Sequence, residues 1–69
     1  MRRKTVSSSA ISSVGYDPKA RTLELEFSSG GVYSYSGVPP KVYAALMSAD
    51  SKGRFVSERI RGQYPSERI

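Results

Sequence analysis

The segment 22–27 constrains the fold most strongly, because its six residues alternate polar and apolar side chains without interruption. A period of two is typical of a β-strand with one face in a core and the other in water. Leu23, Leu25 and Phe27 would then point inward, and the two glutamates between them would point to solvent. The chain is therefore expected to fold around an antiparallel sheet with one buried face.

The segments on either side of this strand predict two more strands. Residues 10–16 carry Ile11, Val14 and Tyr16, and the following Asp-Pro-Lys-Ala has proline where a type I turn prefers its fixed φ. Residues 28–31 contain two serines and two glycines, and residues 32–36 are again rich in strand-forming side chains. The first half of the chain therefore predicts a three-stranded antiparallel β-meander.

The second half of the chain predicts two helices. Pro39-Pro40 suits a helix start, because proline lacks only an N–H that the first turn leaves unpaired. Apolar residues then follow at helical spacing, namely Val42, Tyr43, Leu46, Met47 and Ala49. Asp50 or Ser51 can cap a second helix that runs to about Arg61 and stops at Gly62. The expected fold class is α+β, with both helices packed on one face of the meander.

Length and composition predict one small domain between short flanks. A chain of 69 residues has room for a single domain. Residues 1–9 combine Arg2, Arg3 and Lys4 with hydroxyl side chains and are expected to form a flexible basic arm. Residues 10–65 are expected to form the domain, and residues 66–69 a loose C-terminus. Ser-Glu-Arg-Ile occurs at 57–60 and again at 66–69, but four residues are too few for a structural repeat.

The chain contains no cysteine and no histidine. Disulfides and Cys/His metal sites are therefore excluded, and no cofactor is expected. No apolar run has the length of an export signal or a membrane span. The sequence therefore predicts a cytoplasmic protein with no membrane contact.

Residues 11–64 resemble the KTSC domain family in the order and spacing of their motifs. The matching pieces are Val14-Gly15-Tyr16-Asp17, the apolar alternation of residues 23–27 followed by Gly30, Tyr33-Ser34-Tyr35, Gly37-Val38-Pro39, Val42-Tyr43, Ala49-Asp50-Ser51-Lys52-Gly53, and Ile60-Arg61 with Tyr64. That family is a short module found at the C-terminus of some lysyl-tRNA synthetases and as a free-standing bacterial protein. The resemblance supports the α+β fold and implies RNA or tRNA as a partner.

Tyr33 and Tyr35 occupy same-face positions of the third predicted strand and could stack on unpaired bases. The alternative is that they belong to the core, and the register of the hairpin decides between the two. A loop with an even number of residues places both tyrosines on the glutamate face. A three-residue turn ending in a left-handed glycine places Phe27 opposite Tyr33 and Leu25 opposite Tyr35. The second register is favoured, because it makes one face wholly apolar or aromatic.

Basic residues outnumber acidic ones by eleven to six, which gives a net charge of +5 and predicts a nucleic-acid partner. The candidate phosphate contacts are Lys41, Lys52, Arg54 and Arg61. Helical geometry points Arg54 and Arg61 outward with Glu58 one turn from both, so part of this charge is paired. Arg59 falls on the apolar side of this helix, which we call the apolar arc. Either the aliphatic part of its side chain extends along the surface, or the helix is shorter than predicted. The basic arm has no nearby acid.

The turn at residues 49–54 could present backbone N–H groups to a phosphate, although simple helix capping is the favoured interpretation. Catalysis has little support, because general-base chemistry near pH 7 most often uses histidine. A chain this short is also expected to lack a pocket of about 300–1,000 Å³, so no small-molecule substrate is predicted. The leading hypothesis is non-enzymatic RNA or nucleic-acid binding. The alternative is a protein interaction module that uses a sheet edge or the polar sheet face with Glu24, Glu26, Ser34 and Ser36.

Overall fold

The computed structural model describes residues 3–69. Its elements in chain order are β1 (Lys4–Thr5), β2 (Ile11–Asp17), β3 (Thr22–Phe27), β4 (Val32–Tyr35), α1 (Pro40–Ser48), α2 (Lys52–Phe55), a π-helical turn (Val56–Ile60) and β5 (Ser66–Arg68). The predicted α+β class, with an antiparallel sheet and two helical segments, is confirmed. Within these residues, no helix is long and apolar enough to span a membrane.

The sheet has five strands in the order β1-β2-β3-β4-β5, and every neighbouring pair is antiparallel. The prediction of three strands was therefore wrong. The two additional strands come from the segments interpreted as a basic arm and a loose C-terminus. Both are short and consist of exposed polar residues, so no hydrophobic period marks them in the sequence. Met1 and Arg2 of the predicted arm lie outside the described residues.

The hairpin between β3 and β4 has a three-residue turn, as in the favoured register. The Phe27 N–H donates to the Gly31 carbonyl at 2.8 Å, and Gly30 has a φ of +111°. The pairing is shifted by two residues from the prediction, because Leu25 and not Phe27 lies opposite Tyr33. Both tyrosines still share the face of Leu25, which we call the inner face, and the glutamates of β3 lie on the outer face.

The core lies between the inner face and the helices. Its buried members are Ile11, Val14, Leu23, Leu25, Tyr35, Val38, Leu46, Val56 and Ile60. A register shift between Ile11 and Ser13 disturbs the simple alternation of β2. Such a bulge lets Ile11 and Val14 both enter the core, although residues three apart on a regular strand point to opposite faces.

The second helical segment differs most from its prediction. It begins at Lys52, where the Ser51 hydroxyl accepts the Arg54 N–H at 3.3 Å, and it ends at Ile60. The Arg61 N–H donates to the carbonyl of Val56, five residues earlier, at 2.8 Å. A turn of this type holds more residues than an α-helical turn. The positions calculated for an α-helix therefore do not apply, and Arg59, placed by them in the apolar arc, is exposed.

Candidate functional site

A cleft of about 300 Å³ opens where β4, β5 and the end of the π-helical turn meet. It is lined by Phe27, Ser29, Tyr33, Tyr35, Arg61, Gly62 and Ser66, and we call it the tyrosine cleft. Three of the six predicted contact residues lie in it together. The expectation that so short a chain has no room for a pocket was therefore wrong.

The aromatic wall of the tyrosine cleft consists of Phe27 and Tyr33. Their ring centroids lie 5.6 Å apart at an interplanar angle of 77°, an edge-to-face arrangement. Gly31 lies against the Tyr33 ring, since a Cβ at position 31 would be 2.9 Å from the Tyr33 Cε1. Tyr33 is half-buried, so its ring is held by its neighbours but keeps some accessible surface.

Tyr35 contributes to the cleft in a different way, because only 4% of the residue is exposed. Its ring belongs to the core. Among residues 3–69, no side-chain nitrogen or oxygen is fully buried without a hydrogen-bond partner, and none of the described side chains bonds to the Tyr35 hydroxyl. The hydroxyl therefore opens onto the cleft that this residue lines.

Arg61 supplies the positive charge of the tyrosine cleft. It follows the π-helical turn in an extended conformation, with φ −65° and ψ 130°, and is exposed. Burial raises the pKa of the Tyr35 hydroxyl above its ordinary value, the positive charge of Arg61 opposes this shift, and Tyr33 adds to it. Arg61 and Tyr35 both line the tyrosine cleft.

Strand β5 brings two residues to this site that the sequence did not identify. Ser66 lies opposite Tyr35 and Arg68 lies opposite Tyr33. Directly opposite residues of an antiparallel pair project from the same face. Ser66 therefore lines the cleft, and Arg68 projects from the inner face beside Tyr33. No sequence signal marks either residue, because three exposed polar residues have no hydrophobic pattern.

A second cleft of about 460 Å³ lies between α1 and the second helical segment. It is lined by Lys41, Val42, Ala45, Phe55, Glu58, Arg59, Gln63 and Tyr64. The chain passes from one cleft to the other within residues 61–64, which we call the dividing turn. Predicted contact residue Lys41 therefore belongs to a different cleft from Arg61.

The remaining two predicted contacts line neither cleft. Lys52 is half-buried at the start of α2. The Arg54 side chain is 77% exposed and pairs with Glu58 at 3.2 Å, as the helical spacing predicted. The Ser51 hydroxyl already accepts the Arg54 N–H, which favours simple capping over a phosphate cradle at this turn.

The outer face of the sheet carries carboxylates that already have partners. Arg3 and Glu24 form a salt bridge of 2.7 Å, so the expectation that the basic arm has no nearby acid was wrong for Arg3. The Ser13 hydroxyl donates to the Glu26 carboxylate at 2.9 Å. Across residues 3–69, no three acidic side chains converge in a group that could hold a metal ion.

Comparisons with known proteins agree on one family. The family model described as the KTSC domain matches residues 7–64. The chain is 47% identical over 64 residues to an uncharacterised protein of Stutzerimonas stutzeri, with 93% of this chain and 90% of that protein covered. A KTSC domain protein from Yersinia pestis, known from a crystal structure, superposes with a TM-score of 0.96 at 47% identity, covering 99% of this chain and 96% of that one.

A third similarity extends to a much larger protein. The chain is 41% identical over 61 residues to a lysine–tRNA ligase of Nostoc punctiforme. That alignment covers 88% of this chain but only 11% of the ligase. The same small domain thus occurs alone and as a minor part of a longer chain.

Proposed function

Because the chain belongs to the KTSC domain family, we propose that it is a small non-enzymatic domain that binds single-stranded RNA at the tyrosine cleft. The observation that carries the proposal is that Tyr33 and Arg61 line one open cleft. Unpaired RNA is bound by stacking bases on aromatic rings and by pairing phosphates with cations. The tyrosine cleft contains one residue of each kind, Tyr33 and Arg61.

The charges around the cleft favour a polyanion. None of its seven lining residues is acidic, whereas Arg68 projects from the same face as Tyr33. On the far side of the dividing turn, Lys41 and Arg59 add two cations and Glu58 one acid. An RNA strand bound across the dividing turn would therefore contact basic side chains on both sides of that turn.

The similarity to part of a lysine–tRNA ligase supports RNA rather than DNA as the partner. That enzyme is named for a tRNA substrate, and a domain that increased affinity for tRNA would serve it directly. This chain carries a net charge of +5, which suits the same class of ligand.

Protein binding through the outer face or a sheet edge has less support. The two glutamates of the outer face are already engaged by Arg3 and Ser13. The edge strands contain only two and three residues, and short edge strands offer little backbone for pairing with another chain. The outer face and the sheet edges therefore offer less to a protein partner than the tyrosine cleft offers to RNA.

The test is fluorescence polarisation with a labelled single-stranded RNA and an unmodified tRNA at low and at physiological salt. Affinity is expected to fall with a log-log slope of about −0.7 for each phosphate neutralised on a single strand. Arg61→Gln should weaken binding about tenfold, since bonds between charged groups are the stronger ones. Arg54→Gln is the matched control, because that exposed side chain lines neither cleft.

Two results would contradict the proposal. One is a lack of binding to either RNA at low ionic strength. The other is an equal loss of affinity for Arg54→Gln and Arg61→Gln, which would indicate a diffuse response to net charge.

A further inference from the structure

We infer that the tyrosine cleft holds one nucleoside monophosphate unit, with its base against Tyr33 and its phosphate at Arg61. The inference rests on the proposed RNA-binding function but specifies the ligand more narrowly. The unit can be a free nucleotide or the terminal nucleotide of an RNA strand, since both present the same base, ribose and phosphate. The small volume of the cleft and its few aromatic rings favour one unit over a longer segment.

The aromatic wall is a single edge-to-face pair of rings. Phe27 packs edge-to-face with Tyr33, and the Gly31 backbone lies against the same ring, so part of the Tyr33 surface is already covered. Tyr35 is only 4% exposed and has no ring face to offer. Two rings at nearly right angles cannot form a continuous platform for successive bases, and a cleft of about 300 Å³ lies at the lower limit for small-molecule sites.

The polar groups of the cleft suit an anion that carries sugar hydroxyls. Arg61 provides a guanidinium, which matches phosphate oxygens in pairs. The lining serines Ser29 and Ser66 and the Tyr35 hydroxyl can each donate or accept a hydrogen bond. No lining residue is a carboxylate that would repel a phosphate. The second cleft differs in this respect, because Glu58 lines it.

The inference is tested by NMR titration of the full chain with adenosine 5′-monophosphate, adenosine and inorganic phosphate. The monophosphate should shift the amide signals of Gly31, Tyr33, Gly62 and Ser66 and bind more tightly than either fragment. Arg61→Gln should reduce the affinity for the monophosphate about tenfold while leaving adenosine nearly unchanged. Tyr33→Leu should weaken the binding of both.

Matched controls separate a local effect from one of net charge and guard against unfolding. Arg54→Gln removes a cation that lines neither cleft and should leave the titration unchanged. Arg61 is exposed, so Arg61→Gln should keep the wild-type amide spectrum even if Tyr33→Leu loosens the core. Equal affinity for adenosine and its monophosphate, or shifts centred on the second cleft, would overturn the inference.

Competition against labelled RNA distinguishes this inference from the proposed function. If RNA binds and the monophosphate neither binds nor competes, the single-nucleotide pocket is wrong and RNA binding stands. If the monophosphate binds and RNA does not, the pocket stands and RNA binding is wrong. An RNA with a 5′-phosphate that binds more tightly than its 5′-hydroxyl counterpart would identify the strand end as the ligand.

Discussion

The ring of Tyr16 stacks on the ring of Tyr43, with centroids 4.6 Å apart and planes within 7° of parallel. Tyr16 belongs to β2 and Tyr43 to α1, so the stack joins the sheet to the first helix. The Tyr16 hydroxyl also donates to the carbonyl of Val38, in the segment between β4 and α1. The Tyr16 side chain therefore holds in place both α1 and the segment that leads into it.

The hydroxyl and the ring of Tyr16 can be tested separately. Tyr16→Phe keeps the stack but removes the bond to Val38, and we expect unfolding free energy to fall by about 1 kcal/mol. For a domain of this size that corresponds to a fall in Tm of roughly 4–8 °C. Tyr43→Phe is the matched control, because it removes a hydroxyl but keeps the stacked ring. Equal stability of Tyr16→Phe and the wild type in urea unfolding would contradict the role given to this bond.

Tyr35 is expected to make the folded chain less stable at alkaline pH. An unfolded tyrosine has a pKa near 10, and burial raises the pKa of Tyr35 in the folded chain. Folding thus favours the neutral hydroxyl, and its contribution to the free energy of unfolding is fully present below pH ~10. It is lost as pH rises through the higher folded pKa.

The measurement is urea unfolding between pH 8 and pH 11.5 for the wild type and Tyr35→Phe. The wild type should lose more stability over this range, because the variant has no hydroxyl to ionise at position 35. Parallel pH profiles for the two proteins would show that Tyr35 is not the group responsible.

Gly53 permits a close approach between α2 and the residue before β2. A Cβ at position 53 would lie 2.7 Å from the Cβ of Ala10, and the Ala10 carbonyl is held by the Ser28 N–H at 2.9 Å. Gly53→Ala should therefore destabilise the fold by about 1–3 kcal/mol through overpacking. This would occur even though alanine is the better helix former by about 1 kcal/mol.

The double variant Ala10→Gly/Gly53→Ala isolates this clash. Removing the Ala10 methyl opens the space, so the double variant should be more stable than Gly53→Ala alone, and Ala10→Gly alone should change little. The four proteins form a double-mutant cycle measured by thermal unfolding. Additive effects in that cycle would show that the two Cβ positions do not interact.

The sequence predicted the central part of this fold because its physical signals are local. These signals are the alternation of residues 22–27, the glycine turn after it and the diproline at the start of α1. Each specifies its own structure. The π-helical turn has no such signal, so an α-helical period misplaced Arg59. Tyr33, Tyr35 and Arg61 were each identified from the sequence. That these residues line one cleft could not be predicted, because the position of Arg61 depends on that turn.

Strand β5 is the part of the candidate site that sequence reasoning missed, and hydrogen exchange tests it directly. The Ile69 N–H donates to the Val32 carbonyl at 2.9 Å, and the Ser36 N–H donates to the Pro65 carbonyl at 3.0 Å. In an antiparallel pair, every second residue points its N–H toward the neighbouring strand. The amides of Glu67 and Ile69 should therefore exchange slowly, while that of Arg68 points away from β4 and should exchange fast.

A loose C-terminus would give a different exchange pattern, with all amides from 66 to 69 exchanging at the rate of an unstructured chain. Truncation after Pro65 provides the matched control. It removes the acceptors that β5 offers to β4, so the Ser34 amide, whose partner in the register is Glu67, should lose protection. The amide of Leu25, in the middle of the sheet, should keep its protection. This pairing places Ser66 in the lining of the tyrosine cleft and Arg68 beside Tyr33. The truncated chain should therefore also bind the monophosphate more weakly than the full chain.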